Sequence, residues 1–525
     1  MKRMGAKLAL SHGNPQTGSA ERAGRAMLRL ITLLAVLTGL WAAPSHAGWF
    51  DRKVMVISVE REPWEITTLG GARVKSELIT ITVPENRSRR DTRPIAVRMV
   101  RVPAREPSGL PPVLVLADGS AIERARGVRW AAYRALSEVT DVILVDPRGI
   151  GQSEKPLDCV SSARWDGRIT SRRNFVKLHR QAFRECQAFW QALGTDLRGY
   201  TLHESADDLA AIADIFGGKV SILGSGTGSQ HALAMVKHHP KKVERIALTG
   251  VRGLGQTVAY PDEFDPYLDR LQRVIDADRG ALNRFPDISE SIRELTERLD
   301  KNPQTITVVS ADKRAETVRV VSGYYIQRAI ADAVRNPDQL RTLLEGLWQA
   351  SENNDFSYFE RQVQRLIPDR ITVEAAPTLF ALHQGADKKR LRRVREQART
   401  SPMGDALSFP MPHIASVGRM YRGRNSVRQR PSANVPTLVF IGTLDGYAPE
   451  PAVRKATRGL RKNRVIVTVE NGGHDIFFDS SEVVPTIRSF LQRDTVAGRT
   501  ISTPPPVVSP RAPQSASTRR RGENT

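Results

Sequence analysis

Short runs of apolar residues recur along the chain without alternating polar positions. They occupy residues 112–117, 141–145, 220–223, 243–248, 436–442 and 464–469. Unbroken apolar runs of this length are typical of strands that are buried on both faces of a parallel sheet. A helical pattern separates several of them, as at residues 201–216, where Thr201 or Ser205 is available to cap the helix. The pattern predicts an α/β fold in which helices cover both faces of a mostly parallel sheet.

Two stretches depart from this alternation of strand and helix. Residues 77–84 and 94–103 alternate between apolar and polar positions, which predicts two antiparallel strands at one edge of the sheet. Between residues 248 and 436 the periodicity is mostly helical, with predicted helices at residues 266–277, 288–299, 318–335, 337–349 and 355–367. An insertion placed before the last two strands would cover the carboxyl edge of the sheet, where ligands bind in open α/β folds. We therefore predict a helical cap.

Five segments follow from these patterns. They are a signal peptide at residues 1–47, a first core segment at 48–255, the cap insertion at 256–432, the last core strands at 433–494 and a disordered tail at 495–525. The signal peptide is recognised by arginines before an apolar stretch and by the small-x-small sequence SHA at residues 45–47. Translation starts at Met1 or at Met27, which directly precedes the apolar stretch. We expect export to the periplasm or the extracellular space.

The chain is strongly basic. Its formal net charge is +23, and without residues 1–47, which hold six Lys or Arg and one acid, it is 73 minus 55, or +18. A predicted export signal and the lack of interleaved aromatic and basic residues argue against nucleic acid as a partner. We expect an anionic envelope surface instead. Residues 388–399 (KKRLRRVREQAR) are basic enough for a solvated helix face or a site for an acidic ligand.

A glycine-rich turn joins a predicted strand to a predicted helix in the middle of the chain. Residues 219–240 read KVSILGSGTGSQHALAMVKHHP, with alternating glycines at Gly224, Gly226 and Gly228. Strand, tight turn and helix form the layout of a nucleophile elbow, G-x-S-x-G, in which the central serine sits on a strained turn. Here Gly226 takes the central position. The alternative, a phosphate-binding turn, lacks the Lys-Ser/Thr of a P-loop.

The two cysteines, Cys159 and Cys186, meet an oxidising compartment if the chain is exported. A disulfide between them would close a loop of roughly 28 residues and contribute about 3–4 kcal/mol in the chain-entropy model. Two buried free thiols are the alternative. Two cysteines without a nearby pair of histidines are too few ligands for a metal site, so we expect neither a metal nor a cofactor.

Five segments together resemble the α/β-hydrolase superfamily, and within it the secreted tripeptidyl-aminopeptidase and prolyl-iminopeptidase-like branch. They are DVILVDPRGIGQSEKPLDC at residues 141–159, YTLHESADDLAAI at 200–212, the glycine turn at 224–228, FIGTLDGYAPEPAV at 440–453 and ENGGHDIFF at 470–478. The resemblance covers residues 75–255 and 433–492. It implies an α/β-hydrolase fold with an inserted cap and hydrolysis of peptides, amides or esters.

The resemblance also implies roles for individual residues. Asp445 would be the acid and His474 the general base of a catalytic triad, in the chain order that this fold uses. Gly226 would stand at the nucleophile's position, which is therefore vacant. Ser225 and Ser120 are candidate substitutes, and direct activation of water by His474 is a further alternative.

The loop after the first parallel strand departs from the family as well. It is GGPG-like in the family and reads ADGSA at residues 117–121 here. The backbone N–H groups of Gly119 and Thr227 remain as candidate oxyanion donors. Asp118 would place negative charge beside a developing oxyanion, which opposes its stabilisation.

These residues lead to two hypotheses about function. In the first, the protein is an exported, peptidase- or esterase-like member of the family whose serine-type hydrolysis is weak or absent. In the second, it is a non-catalytic relative that binds a peptide, an acyl ligand or a protein partner. In both, the ligand enters the cleft under the cap. Losing a triad nucleophile costs on the order of a millionfold in turnover, which makes the second hypothesis serious.

Overall fold

The computed structural model describes residues 55–106, 108–309, 316–477 and 479–509. The predicted signal peptide lies outside these ranges, as does the end of the predicted tail from residue 510. None of the helices within them has both the length and the hydropathy needed to cross a bilayer.

A ten-stranded sheet forms the centre of the described chain, and its strands run in the order β1-β2-β3-β5-β4-β7-β8-β12-β13-β14. All strands are, in chain order, β1 Ser58–Thr67, β2 Arg73–Pro84, β3 Pro94–Val102, β4 Val113–Leu116, β5 Val142–Asp146, β6 Cys159–Arg164, β7 Val220–Ser225, β8 Val243–Thr249, β9 Gln304–Val309, β10 Glu316–Val321, β11 Arg370–Val373, β12 Thr437–Gly442, β13 Arg464–Val469 and β14 Arg499–Ile501. Strands β1, β2, β3 and β5 pair antiparallel, and the pairs from β5 to β14 are parallel. The predicted α/β-hydrolase sheet with its antiparallel edge is confirmed.

Sixteen α-helices accompany the strands within the described residues. They are α1 Ala121–Arg124, α2 Trp130–Ser137, α3 Arg172–Ala192, α4 Leu202–Ile215, α5 Thr227–His238, α6 Asp265–Asp276, α7 Arg279–Leu282, α8 Ile288–Lys301, α9 Gly323–Ala333, α10 Leu340–Glu352, α11 Ser357–Glu360, α12 Val363–Leu366, α13 Ala375–Gln384, α14 Lys388–Gln397, α15 Glu450–Ala456 and α16 Val483–Leu491. Thr201 caps α4 by accepting a hydrogen bond from the Glu204 N–H, so Ser205 is not the cap.

The sheet is buried on both faces, as its unbroken apolar runs predict. On β4, Leu114 and Leu116 pack into one hydrophobic cluster with α4 and α5, and Val113 and Val115 pack into another with α2 and α16. Successive side chains of a strand point to opposite faces, so a strand covered on both sides is apolar at every position. This burial fixes the sheet whose carboxyl edge carries the site.

The cap has its own hydrophobic cluster, which is centred on residues 264–371. It is less helical than its periodicity predicts. The expected single helix at residues 318–335 is wrong, because residues up to Val321 form β10, which pairs antiparallel with β9. β-Branched residues dominate the sequence VRVV at 318–321 and favour a strand over a helix there.

The chain before the elbow and the cap are tied together. β6 precedes the elbow and pairs antiparallel with β11 from the cap. The predicted disulfide is present: Cys159, the first residue of β6, is bonded to Cys186 in α3. Residues of α13 pack into the core cluster of α4 and α5. The predicted segment 256–432 is therefore partly a covering layer of the core.

The prediction of a disordered tail from residue 495 is wrong for its first part. Residues 499–501 form β14, which pairs parallel with β13, and Ile501 is buried in the core. Val508 packs into the cap cluster. The low apolar content that favoured disorder is an average over the whole tail, and it hides these two anchoring side chains.

A buried ionic network holds the loop after β5. The guanidinium of Arg148, which is fully buried, donates to both carboxylate oxygens of Asp208 at 2.6 and 2.7 Å and to the backbone oxygens of Glu85 and Gly199. Arg87 donates to Asp208 at 2.6 Å. Two segments of the family resemblance therefore meet here, and their charged residues serve the structure of the loop.

Candidate active site

The glycine turn has the conformation of a nucleophile elbow. Gly226 lies between β7 and α5 with φ 55° and ψ −123°, in the left-handed region that side chains rarely adopt. A Cβ on Gly228 would lie 2.0 Å from the backbone oxygen of Leu116, so only glycine lets α5 approach β4 this closely. The turn is built as the G-x-S-x-G spacing predicts, but its central residue has no side chain.

The structure brings the two predicted members of a catalytic pair together. Nδ1 of His474 lies 2.8 Å from Oδ2 of Asp445, and both side chains are buried. The other oxygen of Asp445 accepts hydrogen bonds from the backbone N–H groups of Tyr447 and Ala448, each at 2.9 Å. This carboxylate is therefore fixed, and it holds the imidazole with Nε2 directed away from it.

The loop of His474 is held by close backbone contacts with the cap. The His474 N–H donates to the backbone oxygen of Arg335 at 2.9 Å, and the Gly446 N–H donates to that of Val334 at 3.0 Å. A Cβ on Gly473 would lie 2.3 Å from Cδ of Pro337, which explains the glycine before the histidine. The cap thus anchors the two loops that carry Asp445 and His474.

Asp118 fills the space of the missing nucleophile. A Cβ built on Gly226 would lie 2.5 Å from Cβ and 2.6 Å from Cγ of Asp118. Oδ1 of Asp118 accepts hydrogen bonds from the backbone N–H of Thr227 at 3.1 Å and from its hydroxyl at 2.9 Å. Oδ2 lies 4.0 Å from Nε2 of His474. The carboxylate therefore occupies both the nucleophile's volume and one predicted oxyanion donor.

The surroundings of Asp118 stabilise its charge. Burial would raise the pKa of this carboxyl, but the charges of His474 and Arg335 and the two hydrogen bonds from Thr227 outweigh it, and the pKa is lowered. Nη1 of Arg335 lies 3.7 Å from Oδ2. The site therefore contains a carboxylate at neutral pH.

Neither candidate substitute serine contacts the histidine. The Ser120 hydroxyl donates to Oδ2 of Asp146 at 2.7 Å and accepts from the Glu123 N–H, which makes it the cap of α1. Ser225 ends β7, one residue before the turn. Nε2 of His474 has no hydrogen-bond partner among the described residues. The structure thus gives neither serine the hydrogen bond to a base that an activated nucleophile needs.

Three residues that the sequence analysis missed complete the site. The guanidinium of Arg335 lies 3.6 Å from the ring centre of Tyr447, and that of Arg252 lies 4.3 Å from it. Burial would raise the pKa of Tyr447, but the two cations outweigh it and lower the pKa. The tyrosine follows Asp445 by two positions, a spacing that could have singled it out. Nothing in the local sequence marks Arg335, which comes from the cap.

A cavity of about 570 Å³ opens beside Asp118 between the sheet edge and the cap. Its wall includes Gly119, Thr227 and Tyr447 from the core and residues 374–377 from the start of α13. Four carboxylates and two cations line it: Asp118, Glu123, Asp158 and Glu374 against Lys155 and Arg252. With His231 neutral, because burial lowers its pKa to about 4, the lining carries a formal charge of −2. No group of three metal-ligating side chains is placed to hold an ion within the described ranges.

Asp479 supports the histidine loop from behind. Its Oδ2 accepts a hydrogen bond from the Gly473 N–H at 2.7 Å. Burial raises the pKa of Asp479 to about 6 despite this hydrogen bond, and the carboxylates of Asp338 and Asp445 raise it further. The loop beside His474 therefore contains an acid that titrates near pH 6.

Comparison with known proteins agrees with this geometry. A family profile described as alpha/beta hydrolase fold matches residues 128–481. The chain belongs to the α/β-hydrolase fold family. No curated protein sequence gives a significant match.

Many solved structures are similar in fold, and most of each is covered. A thermophilic esterase from Thermogutta terrifontis is 14% identical, with 82% of this chain and 98% of that chain covered and a TM-score of 0.33. Epoxide hydrolase A from Mycobacterium thermoresistibile gives 14%, 82%, 98% and 0.33 for the same measures. The activities in these names are those of the two proteins.

Proposed function

We propose that this protein is an exported α/β-hydrolase relative that binds a peptide-like ligand under its cap and does not carry out serine-type hydrolysis. The observation that carries this proposal is the position of Asp118. Its side chain takes the volume in which an elbow serine would stand, and it takes the Thr227 N–H that would stabilise an oxyanion. A negative charge at that place also repels the oxyanion of acyl transfer.

The charge of the cavity favours a ligand with a free amine over a fatty acyl chain. The lining has a formal charge of −2, and Glu374 at its cap side has no ion-pair partner among the described residues. A carboxylate that is removed from bulk water gains most from an ammonium group that replaces its hydration. The α-amino group of a short peptide supplies that charge.

Binding and turnover are tested on the same compounds. Short peptides and aminoacyl amides are titrated by calorimetry against the mature protein, each beside its N-acetylated form. We expect the free amines to bind at least tenfold more tightly, and we expect Glu374→Gln to remove this difference. Release of the amine is followed in parallel, and we expect none above the rate of His474→Ala. Turnover that this variant abolishes would overturn the proposal.

A second function is favoured by the orientation of Asp118. Oδ1 is held by Thr227, whereas Oδ2 faces Nε2 of His474 at 4.0 Å, a gap that admits a reacting group. Carboxylates serve as nucleophiles in covalent catalysis. We propose as the alternative that Asp118 attacks an electrophilic sp³ carbon, such as that of an epoxide.

The steps of this alternative balance with water as the only co-reactant. Oδ2 forms a C–O bond to the carbon while the ring C–O bond breaks, and the alkoxide takes a proton from water or Tyr447. His474 then removes a proton from a water molecule, which attacks Cγ of Asp118. The resulting oxyanion on Oδ1 is stabilised by Thr227, and the ester collapses to release a diol with the proton from His474.

The mass of the protein distinguishes this alternative from simple binding. His474→Ala should retain the alkyl group on Asp118 after exposure to styrene oxide, because the ester is no longer hydrolysed. Tandem mass spectrometry would find the added mass on the peptide that contains Asp118. Asp118→Asn should remain unmodified under the same conditions. An unmodified His474→Ala protein would contradict the alternative and leave the binding proposal in place.

A further inference from the structure

A second concave surface, which shares no lining residue with the cavity beside Asp118, is strongly basic. We call it the basic groove, and its volume is about 1060 Å³. Its wall is built from the loop after β8, the start of α14, residues 428–434 and the segment from α15 to residue 462. It is lined by five arginines and two lysines against a single acid: Arg390, Arg428, Arg430, Arg458, Arg461, Lys455 and Lys462 against Asp387.

The cations on the rim of the basic groove have no acidic neighbours. Arg430, Arg458, Arg461 and Lys462 are exposed, and none forms an ion pair with the acids of the described ranges. The acid Asp387 is engaged as the cap of α14, where its carboxylate accepts the Arg390 N–H at 2.7 Å. Several positive charges without counter-charges create a strong positive potential in a concave surface.

Two of these cations are aligned. Arg458 and Arg461 lie three residues apart in the 3₁₀ helix Arg458–Asn463. A 3₁₀ helix has three residues per turn, so these two side chains project from the same face, about 6 Å apart along the axis. A row of guanidinium groups suits successive anionic groups of one chain, because each can form paired hydrogen bonds with a phosphate.

The base of the basic groove also has a free donor. Arg390 is buried, its Nε donates to the Val258 backbone oxygen, and Nη2 has no hydrogen-bond partner. The nearest carboxylate to Nη2 is that of Glu263, at 3.7 Å, and the guanidinium stacks on Tyr260 at 4.0 Å from the ring centre. Leaving a buried charged donor without a hydrogen bond is costly, so an anion that reaches it gains binding energy.

We propose that the basic groove binds a flexible chain of phosphate groups. A chain can enter a concave surface and reach the buried Arg390, which a flat lipid bilayer does not do. The groove also presents no exposed apolar side chain for insertion into lipid, since Leu254 and Ala456 in its wall are buried. Such a chain is a free polyphosphate or the phosphodiester backbone of an envelope polymer.

Binding to two soluble probes tests the proposal and separates the two sources. The mature protein is titrated into labelled inorganic polyphosphate and into labelled poly(glycerol phosphate), and fluorescence anisotropy is read between about 50 and 300 mM salt, because phosphate binding weakens with salt. The triple variant Arg458→Gln, Arg461→Gln, Lys462→Gln should bind at least tenfold more weakly. Its slope of log K against log salt should fall by about 2, at roughly 0.7 per lost phosphate contact.

A matched variant controls for net charge alone. Lys75, Arg105 and Lys241 are also exposed and without ion pairs to described residues, and they lie outside the basic groove. The triple variant Lys75→Gln, Arg105→Gln, Lys241→Gln has the same net charge as the groove variant. We expect it to change affinity less than twofold.

Each outcome bears on the proposal. Tighter binding of polyphosphate assigns the free anion, and tighter binding of poly(glycerol phosphate) assigns the envelope polymer. Equal losses in the two triple variants would overturn the proposal in favour of unspecific charge attraction. Binding to phosphatidylglycerol vesicles but not to either polymer would overturn it in favour of a membrane surface. An oligonucleotide that binds more tightly than both polymers would overturn it in favour of nucleic acid.

Discussion

Asp118 and Gly226 compete for one volume: a Cβ on Gly226 would lie 2.5 Å from the Cβ of Asp118. Carbon atoms come this close only when they are bonded to a common atom, so the two side chains exclude each other without a shift of the backbone. Replacing the elbow glycine by serine is therefore an incomplete repair. The glycine of the elbow and the aspartate of the neighbouring loop form one structural unit.

This exclusion predicts which variants regain serine-type hydrolysis. Gly226→Ser alone and Gly226→Ser with Asp118→Ala should stay inactive on acyl esters, because an alanine in place of Asp118 keeps the clashing Cβ. Gly226→Ser with Asp118→Gly should hydrolyse them, because this change frees the volume, the Thr227 N–H and the face of His474. We expect a gain of at least a hundredfold, which is a small part of the roughly millionfold effect of a triad nucleophile. Ester hydrolysis is measured with chromogenic substrates.

Two controls make that result specific. His474→Ala in the background of Gly226→Ser with Asp118→Gly should abolish the gain, since the serine then has no base. Circular dichroism checks that each variant is folded. Equal activity of the Asp118→Ala and Asp118→Gly combinations would show that the steric argument is wrong.

The buried acid behind the histidine loop predicts a pH-dependent stability. Folding raises the pKa of Asp479 from 3.8 to about 6, so the folded state favours the protonated acid. Its contribution is therefore fully present below pH 4 and is lost as the pH rises through 6. Asp479→Asn mimics the protonated form and should stabilise the fold at pH 7.5 by about 2 kcal/mol, with little effect at pH 4. Urea unfolding at both pH values measures this.

Asp355 supplies a control of opposite sign. Hydrogen bonds from the hydroxyl and the N–H of Ser357 lower the pKa of Asp355 below 3.8. Its contribution to stability is present above pH 4 and lost as the pH falls further, so Asp355→Asn should destabilise at neutral pH only. The same direction of change in both variants would refute the assignment for Asp479.

The ionic network below the loop after β5 predicts a large loss of stability. Arg148→Met leaves the carboxylate of Asp208 buried with only Arg87 as its partner, and breaking a buried pair in this way costs about 3–5 kcal/mol. Arg454→Met, which breaks the exposed pair with Glu450, should cost at most about 0.5 kcal/mol. Both values come from chemical denaturation. Similar losses in the two variants would mean that burial does not govern the network.

The disulfide predicts a response to reductant. Replacing both Cys159 and Cys186 by alanine should lower the free energy of unfolding by about 3–4 kcal/mol, the value for a loop of roughly 28 residues. A reductant should destabilise the unmodified protein by a similar amount and leave the double variant unchanged. A double variant that still responds to the reductant would contradict this origin of the effect.

Much of the fold follows from local pattern. The buried strands were predictable because burial on both faces leaves apolar side chains at every position, and this signal depends on no distant residue. The separate spacings around Gly226, Asp445 and His474 likewise singled out the site. Their hydrogen bond could be expected because the carboxyl ends of parallel strands meet at one sheet edge.

The parts that escaped prediction depend on contacts between distant segments. The sequence marks Asp118 as an unfavourable charge in a loop, but its position over Gly226 results from the path of that loop. Arg335 reaches Tyr447 from the cap, and no local spacing connects them. β14 was hidden because its three residues gain their order from β13, in a segment whose composition favours disorder.

The close approach of residues 118 and 226 also constrains ancestry. A relative with serine at the elbow cannot acquire Asp118 while the serine stays, so glycine at 226 must come first along any lineage of single substitutions. Once Asp118 is present, a return to serine meets a steric barrier that glycine alone does not impose. The order of the two changes is therefore irreversible in practice, and any descendant that recovers catalysis by single steps does so with Asp118 or after losing it.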